Sequence, residues 1–275
     1  MSANGYLTRL AGAAVLRDTE QLSVHGSLAA LKVRLDTYFN GTLLSGNMLK
    51  RHFAFGSFTR GTILPHAMDE HSDIDYMVVF AEEDATPQTY LNRLLRFAEA
   101  KYPRSDIAQS NPTIVLSLNR IKFELVPAID SFFGGLKIPL RSNGYQTWQD
   151  TEPNAFNEKL TEKNKSNGNL IKPLARVLKY WNACNGYPYE SYLLERSVVD
   201  HSPPLTVILF GEKVDLWAWF SSFIEDMSVS WGEPNYKKRA VERAQSLVSE
   251  IKAHESRGED DQAQRKLERL LPPIA

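Results

Sequence analysis

Asp73 and Asp75, separated only by Ile74 and followed by Tyr76-Met77-Val78-Val79-Phe80, are the residues of this chain best spaced for chemistry. In a strand, residues two apart project from one face. The two carboxylates therefore stand side by side, while Ile74 and the apolar run anchor the strand in a core. Paired carboxylates repel each other, and a cation between them relieves the repulsion. Mg²⁺ suits such a pair, because it is a hard ion that takes carboxylate and phosphate oxygens. Upstream, the apolar run Phe53-Ala54-Phe55 breaks at Gly56-Ser57. A glycine after a strand lets backbone approach a ligand closely, and the N–H groups of a helix start attract phosphate. Ser57 reads in two ways: a triphosphate contact, or an ordinary helix cap worth about 1 kcal/mol. Arg60 has equal claims as a phosphate ligand and as the partner of an acid.

The elements that must hold these residues follow from periodicity. Residues 49–55 read as a strand, 57–59 as a short helix or turn, and 87–102 as an amphipathic helix with Tyr90, Leu91, Leu94, Leu95, Phe97 and Ala98 on its buried side. Strands follow at 106–109, 113–118 and 121–126, the last two joined by a tight connection at Asn119-Arg120. In the run from Ile121 to Ala128, Phe123 and Leu125 take one face and Glu124 shares the other with Lys122. Pro127 is expected to end that strand before Asp130. Residues 131–150, with Gly134-Gly135, Pro139 and Ser142-Asn143-Gly144, are read as irregular apart from a short strand at 136–140. The remainder is helical: 6–16 and 27–39 before the strands, then 154–167, 170–182, 205–227, 236–254 and 262–271 after them. The first part of the chain is thus a mixed α/β unit and the last part all helix.

Bulk properties narrow the function classes. The chain has 275 residues, enough for one large domain or two moderate ones, and its 43% hydrophobic and 24% charged content is that of a soluble globular protein. A net charge of −1 argues against a broad electrostatic footprint for long nucleic acid. The single cysteine, Cys184, excludes an intrachain disulfide and a cysteine-rich zinc site, and reads as a small buried residue in a reducing cytoplasm. Neither a signal peptide nor a membrane span is apparent. His66 and His71 flank Asp69-Glu70 without a diagnostic ligand spacing, and His25 has no partner at ligand spacing.

Gly56-Ser57, Arg60-Gly61-Thr62 and Ser72-Asp73-Ile74-Asp75, in that order, resemble the signature of polymerase-β-type nucleotidyltransferases. In particular they resemble the cGAS/DncV-like branch, bacterial cyclic-oligonucleotide synthases that are also similar to oligoadenylate synthetase. The resemblance covers roughly residues 53–195. It implies an α+β fold: a nucleotidyltransferase lobe with a mixed sheet and N-terminal bracing helices over residues 1–150, a helical lobe over 151–275, and a cleft between them. It also implies a third carboxylate, usually aspartate, followed by a hydrophobic residue and V-P-A. Here that position is Glu124, with Asp130 the weaker candidate. Two Mg²⁺ ions, replaceable by Mn²⁺, would then be held by Asp73, Asp75 and Glu124. Lys179, in the run Lys179-Tyr180-Trp181-Asn182, would touch triphosphate, or else solvate a helix face. Ser191 and Tyr192 would touch nucleotide, and Tyr192 alternatively fills the core.

The product class the resemblance implies is a cyclic di- or trinucleotide made from ATP or other NTPs, commonly in bacterial antiphage signalling, with a regulatory protein or downstream effector as partner. Two rivals stand beside it. Template-independent addition to an RNA end, as in CCA-adding enzymes, predicts a basic flank and a tRNA-gripping domain. An inactive nucleotide-binding module is kept open by the glutamate in the third position.

Overall fold

The computed structural model describes residues 2–41, 48–81, 84–110, 112–118, 121–132, 134–140, 147–202 and 214–274. The expected connection at Asn119-Arg120, the Ser142-Asn143-Gly144 break and residues 205–213 of the expected apolar helix lie outside the described residues. The chain divides into two compact units, one of residues 17–63 and 71–157, the other of 1–16, 64–70 and 158–275.

The first unit is built on a mixed sheet. Its elements are α2 (Asp18–Phe39), β1 (Leu49–Ala54), α3 (Gly56–Arg60), β2 (Ile74–Phe80), α4 (Pro87–Lys101), β3 (Asp106–Ser110), β4 (Thr113–Leu118), β5 (Ile121–Asp130), β6 (Leu136–Pro139) and β7 (Trp148–Thr151). The strand order is β1-β2-β5-β4-β3, with β6 and then β7 added beyond the far end of β5. Among the described strands, only the pair β2 and β5 runs parallel. A parallel pair needs a crossover, and α4 supplies it, with Pro87 pre-set for the first helical turn and Tyr90, Leu91, Leu94, Phe97 and Ala98 buried. Central strands covered on both faces are continuously apolar, which is why Tyr76 through Phe80 are all buried. Even-numbered Val78 and Phe80 alternate with Met77 and Val79. These two join Val126, Ala128 and Leu136 in a cluster beneath Phe53, Phe55 and Ile138.

Three sequence expectations change here. Strand β5 continues through Pro127 to Asp130. Its antiparallel neighbour is β4 up to Leu125 and β6 from Ile129, so the proline, lacking an N–H, sits opposite the gap between them. Helix α2 begins at Asp18, well before residue 27. Glu20 reaches back to accept from the Arg17 N–H at 2.9 Å, and Asp18 and Glu20 place negative charge on the first turn. The short polar strand β7 lies in the stretch read as irregular, because four residues with one apolar side chain carry no alternation to detect.

The second unit is helical: α1 (Ala3–Ala13), most of α5 (Ala155–Ser166), α6 (Ile171–Cys184), α7 (Ser191–Asp200), α8 (Leu216–Asp226), α9 (Asn235–Ser256) and α10 (Asp260–Leu270). Its core is centred on α6, whose Leu174, Val177, Leu178 and Trp181 are almost wholly buried. The N-terminal helix α1 belongs to this unit, whereas α2 belongs to the sheet. Helix α1 packs on α6, α8 and α10, and α1 and α6 each hold the C-terminal segment by a tyrosine hydroxyl. The Tyr6 hydroxyl donates to the Leu271 carbonyl at 2.6 Å, and the Tyr180 hydroxyl donates to the Pro272 carbonyl at 3.0 Å. Tyr6→Phe leaves a buried carbonyl unsatisfied and is expected to cost about 1–2 kcal/mol, read as a lower denaturant midpoint with an unchanged slope. An unchanged midpoint would show that this bond contributes nothing. Among the described residues, no helix is long and apolar enough to cross a membrane.

Candidate active site

Asp73 is the last residue before β2 and Asp75 is its second. The parallel register sets Ile74 opposite Phe123 and Asp75 opposite Glu124. Phe123 and Leu125 are fully buried, and Ile74 nearly so, on the α4 side of the sheet. That burial aims Asp75 and Glu124 to the other face, where Met77 and Val79 continue the line from Asp75 into the apolar cluster. The carboxylates thus sit at the start of two adjacent strands, at the polar end of a face whose interior is greasy.

The turn after β1 closes against this point. The Phe55 N–H donates to the Asp75 carbonyl at 3.0 Å, and the chain then turns through Gly56 at φ +74° into α3. A Cβ added to Gly56 would lie 1.8 Å from Asp75 Oδ2 and 2.7 Å from its carboxyl carbon. Only a glycine permits both the positive φ and that approach. The N-cap of α3 is Phe55 and Ser57 lies inside the helix, so the reading of Ser57 as an ordinary cap does not hold. Its carbonyl accepts from the N–H groups of Thr62 at 2.9 Å and Ile63 at 3.1 Å, closing the loop behind it. Arg60 is buried, with its guanidinium 5.3 Å from the centre of the Phe156 ring.

Crowding the carboxylates has an electrostatic cost. Asp73 is pushed up from 3.8 to about 7, first by burial and then by the charges of Asp75 and Glu124, with Lys122 opposing. The Lys122 ammonium lies 3.3 Å from Glu124 Oε1 and 3.6 Å from Asp73 Oδ2. Burial opposes the charge on Lys122, and the two carboxylates outweigh it, holding its pKa above the ordinary value. The Thr113 hydroxyl on β4 lies 3.4 Å from Glu124 Oε2, while its shorter contact, 2.7 Å, is to the Ser110 carbonyl. Among the described residues, no three His, Cys, Asp or Glu side chains already converge as a metal-ligand set. The donors at this site are nonetheless the right kind for a hard divalent cation. They are three carboxylates on one face of neighbouring strands, and Asp73 is forced toward its protonated form first by burial and then by the charges of Asp75 and Glu124.

Asp130, the weaker candidate for the third carboxylate, is engaged elsewhere. It is paired with Arg51 at 2.6 Å and Lys50 at 3.0 Å, which hold its carboxyl below the usual range. His66 and His71 are exposed, and His25 stacks edge-on against Phe58 at 5.6 Å. Cys184, the last residue of α6, is exposed rather than buried, although Trp181 and Asn182 in the same turn are buried. Lys179, Ser191 and Tyr192 lie in the helical unit, the first on α6 and the others at the start of α7. Lys179 is buried, which excludes a merely solvating role, and Tyr192 is 44% exposed, which excludes a core one. The sequence reading placed Lys122 beside Glu124 without giving it a part. Thr113 carried no signal, since its relation to Glu124 exists only across the β4–β5 pairing.

Residues 1–164 match the sequence profile of the Second Messenger Oligonucleotide or Dinucleotide Synthetase domain. A probable cyclic nucleotide synthase of Bacillus cereus is 29% identical over 189 residues, which are 55% of this chain and 56% of that protein. A cyclic AMP-AMP-AMP synthase of an Acinetobacter species is 26% identical over 171 residues, 62% of this chain and 45% of that protein. The chain thus spans about half the length of the curated relatives it matches. Among solved structures, the Vibrio cholerae cyclic AMP-GMP synthase DncV, in complex with the linear intermediate pppA(3′,5′)pG, superposes with a TM-score of 0.71 at 12% identity. The superposition covers 96% of this chain and 93% of that one, so the fold is shared. With the profile matching more than half of its length, the chain belongs to the second messenger oligonucleotide or dinucleotide synthetase family.

Proposed function

We propose that the protein is a metal-dependent nucleotidyltransferase that joins NTPs into a cyclic di- or trinucleotide second messenger, serving antiphage signalling in bacteria. The observation that carries this reading is the register of Asp75 with Glu124, with Asp73 beside them and Gly56 pressed onto Asp75. Asp73, Asp75 and Glu124 would hold Mg²⁺ ions, or Mn²⁺ in their place. When bound, these ions would acidify the attacking ribose hydroxyl and neutralise charge on the triphosphate.

This chain's own residues do the rest. Glu124 accepts the proton of the attacking hydroxyl on its carboxylate. Gly56 and Ser57 hold phosphate oxygens through backbone N–H and hydroxyl, and Arg60 adds positive charge. The helical unit contributes the Lys179 ammonium for triphosphate, Ser191 as a nucleotide contact, and the open Tyr192 ring as a stacking surface for a base. Nucleotidyl transfer runs on positioning and charge stabilisation, so no covalent enzyme nucleophile is required.

The test uses purified protein, the four NTPs with one α-labelled, and Mg²⁺ or Mn²⁺ without RNA. Products are treated with phosphatase, then separated and weighed by mass spectrometry. A phosphatase-resistant species with the mass of a closed ring is the expected result, and it names the bases. Linear, phosphatase-sensitive chains would replace this reading with an oligoadenylate- or tail-type transferase. No product with either metal, with or without tRNA, would sink it in favour of an inactive module.

A further inference from the structure

We infer that Lys122 is a built-in counterion that stands at the charge position of a metal ion and must be displaced before the carboxylates can bind one. This rests on the proposed function, and names a residue that regulates loading of that same site.

Two observations on one sheet face support it. Lys122 and Glu124 are two apart on β5 and share the face with Asp73 and Asp75, so the ammonium reaches the carboxylates without leaving the sheet. It bridges two separate carboxylates, 3.3 Å from Glu124 and 3.6 Å from Asp73, rather than pairing with one.

A divalent ion entering alone must push a positive charge off two of its own ligands. Bound triphosphate changes the balance, because it brings negative charge that both the ion and the displaced ammonium can use. The arrangement therefore disfavours metal without nucleotide and couples the two ligands to each other.

The probe is Mn²⁺ alone, followed by electron spin resonance and by calorimetry at low salt, on the full chain. Three proteins are compared: wild type, Lys122→Met, which keeps the stem and loses the charge, and Lys122→Arg, which keeps the charge. Lys122→Met is expected to bind Mn²⁺ about tenfold more tightly than wild type, the scale of removing one unit charge a few ångströms from the ion in a partly solvated site. Lys122→Arg is expected to stay near wild type. A non-hydrolysable ATP analogue should tighten Mn²⁺ binding in wild type more than in Lys122→Met. Far-ultraviolet circular dichroism of each variant checks that the fold is retained. Should Lys122→Met be misfolded, Lys122→Gln replaces it in the same comparison. Equal or weaker Mn²⁺ binding in the uncharged variant, with wild type binding normally, overturns the counterion role and leaves the proposed function standing. Absence of Mn²⁺ binding in all three proteins, with and without the analogue, overturns the metal site itself and this inference with it.

Discussion

Asp73→Asn is expected to cut product formation by at least about 100-fold while making the ligand-free protein more stable, by about 1 kcal/mol at pH 8. The two effects have one cause. Asp73 carries a charge that burial and the neighbouring Asp75 and Glu124 oppose, so its carboxyl is raised from 3.8 to about 7. The sign follows from that direction. The folded form holds the proton more tightly than the unfolded form does, so this group favours the fold at acid pH. Its contribution is complete below 3.8 and is lost as the pH climbs through about 7. Asparagine is neutral throughout, so the gain from the substitution appears at pH 8 and vanishes near pH 4. Lys122 remains paired with Glu124 in the variant, at the 3.3 Å contact already present. Denaturant melts of both proteins at pH 5 and pH 8, beside the labelled-NTP assay, measure the two effects together. A variant that is inactive but no more stable at pH 8 would show that the carboxylates do not strain the fold.

Gly56→Ala is expected to abolish turnover to below about 1% of wild type, although no charged or polar side chain is altered. An alanine at φ +74° pays the left-handed backbone penalty, about 1 kcal/mol. It also drives a methyl into the space 1.8 Å from Asp75 Oδ2, so the carboxylate or the turn must move by more than an ångström. Displacements of that size at a reacting centre cost about 100-fold in rate. Gly61 is the internal control. It has nearly the same backbone, φ +70°, but an added Cβ meets nothing within 4 Å. Gly61→Ala should therefore show the backbone cost alone, and Gly56→Ala the same cost plus the loss of turnover. Similar activities in the two variants would mean that the approach of Gly56 to Asp75 does not position the carboxylate.

Much of this site was legible because the relevant information is local. Period two in Asp73-Ile74-Asp75 and in Lys122-Phe123-Glu124-Leu125 assigns polar and apolar faces without knowledge of any partner strand, and the structure keeps those assignments. Helix α4 was equally plain, since its buried positions recur at helical spacing. Errors arose where the decisive partner is remote. Pro127 looked like a strand terminator, and passes because β4 has left and β6 has not yet arrived at that point. Cys184 looked like a buried residue by type, and is exposed as the last residue of α6. The placement of α1 in the helical unit depends on Tyr6 meeting Leu271, a pair at opposite ends of the chain.

The sequence by itself determined which residues are carboxylates on a common face, where the glycine turn falls, and that an α/β part precedes a helical one. Those properties follow from backbone stereochemistry and from alternation within single segments. Only the tertiary structure decided that Asp75 meets Glu124, that Gly56 touches Asp75, and that Lys122 stands between Asp73 and Glu124. Strand register is set by the packing of whole faces, here Ile74, Phe123 and Leu125 beneath α4, and no single segment contains that sum.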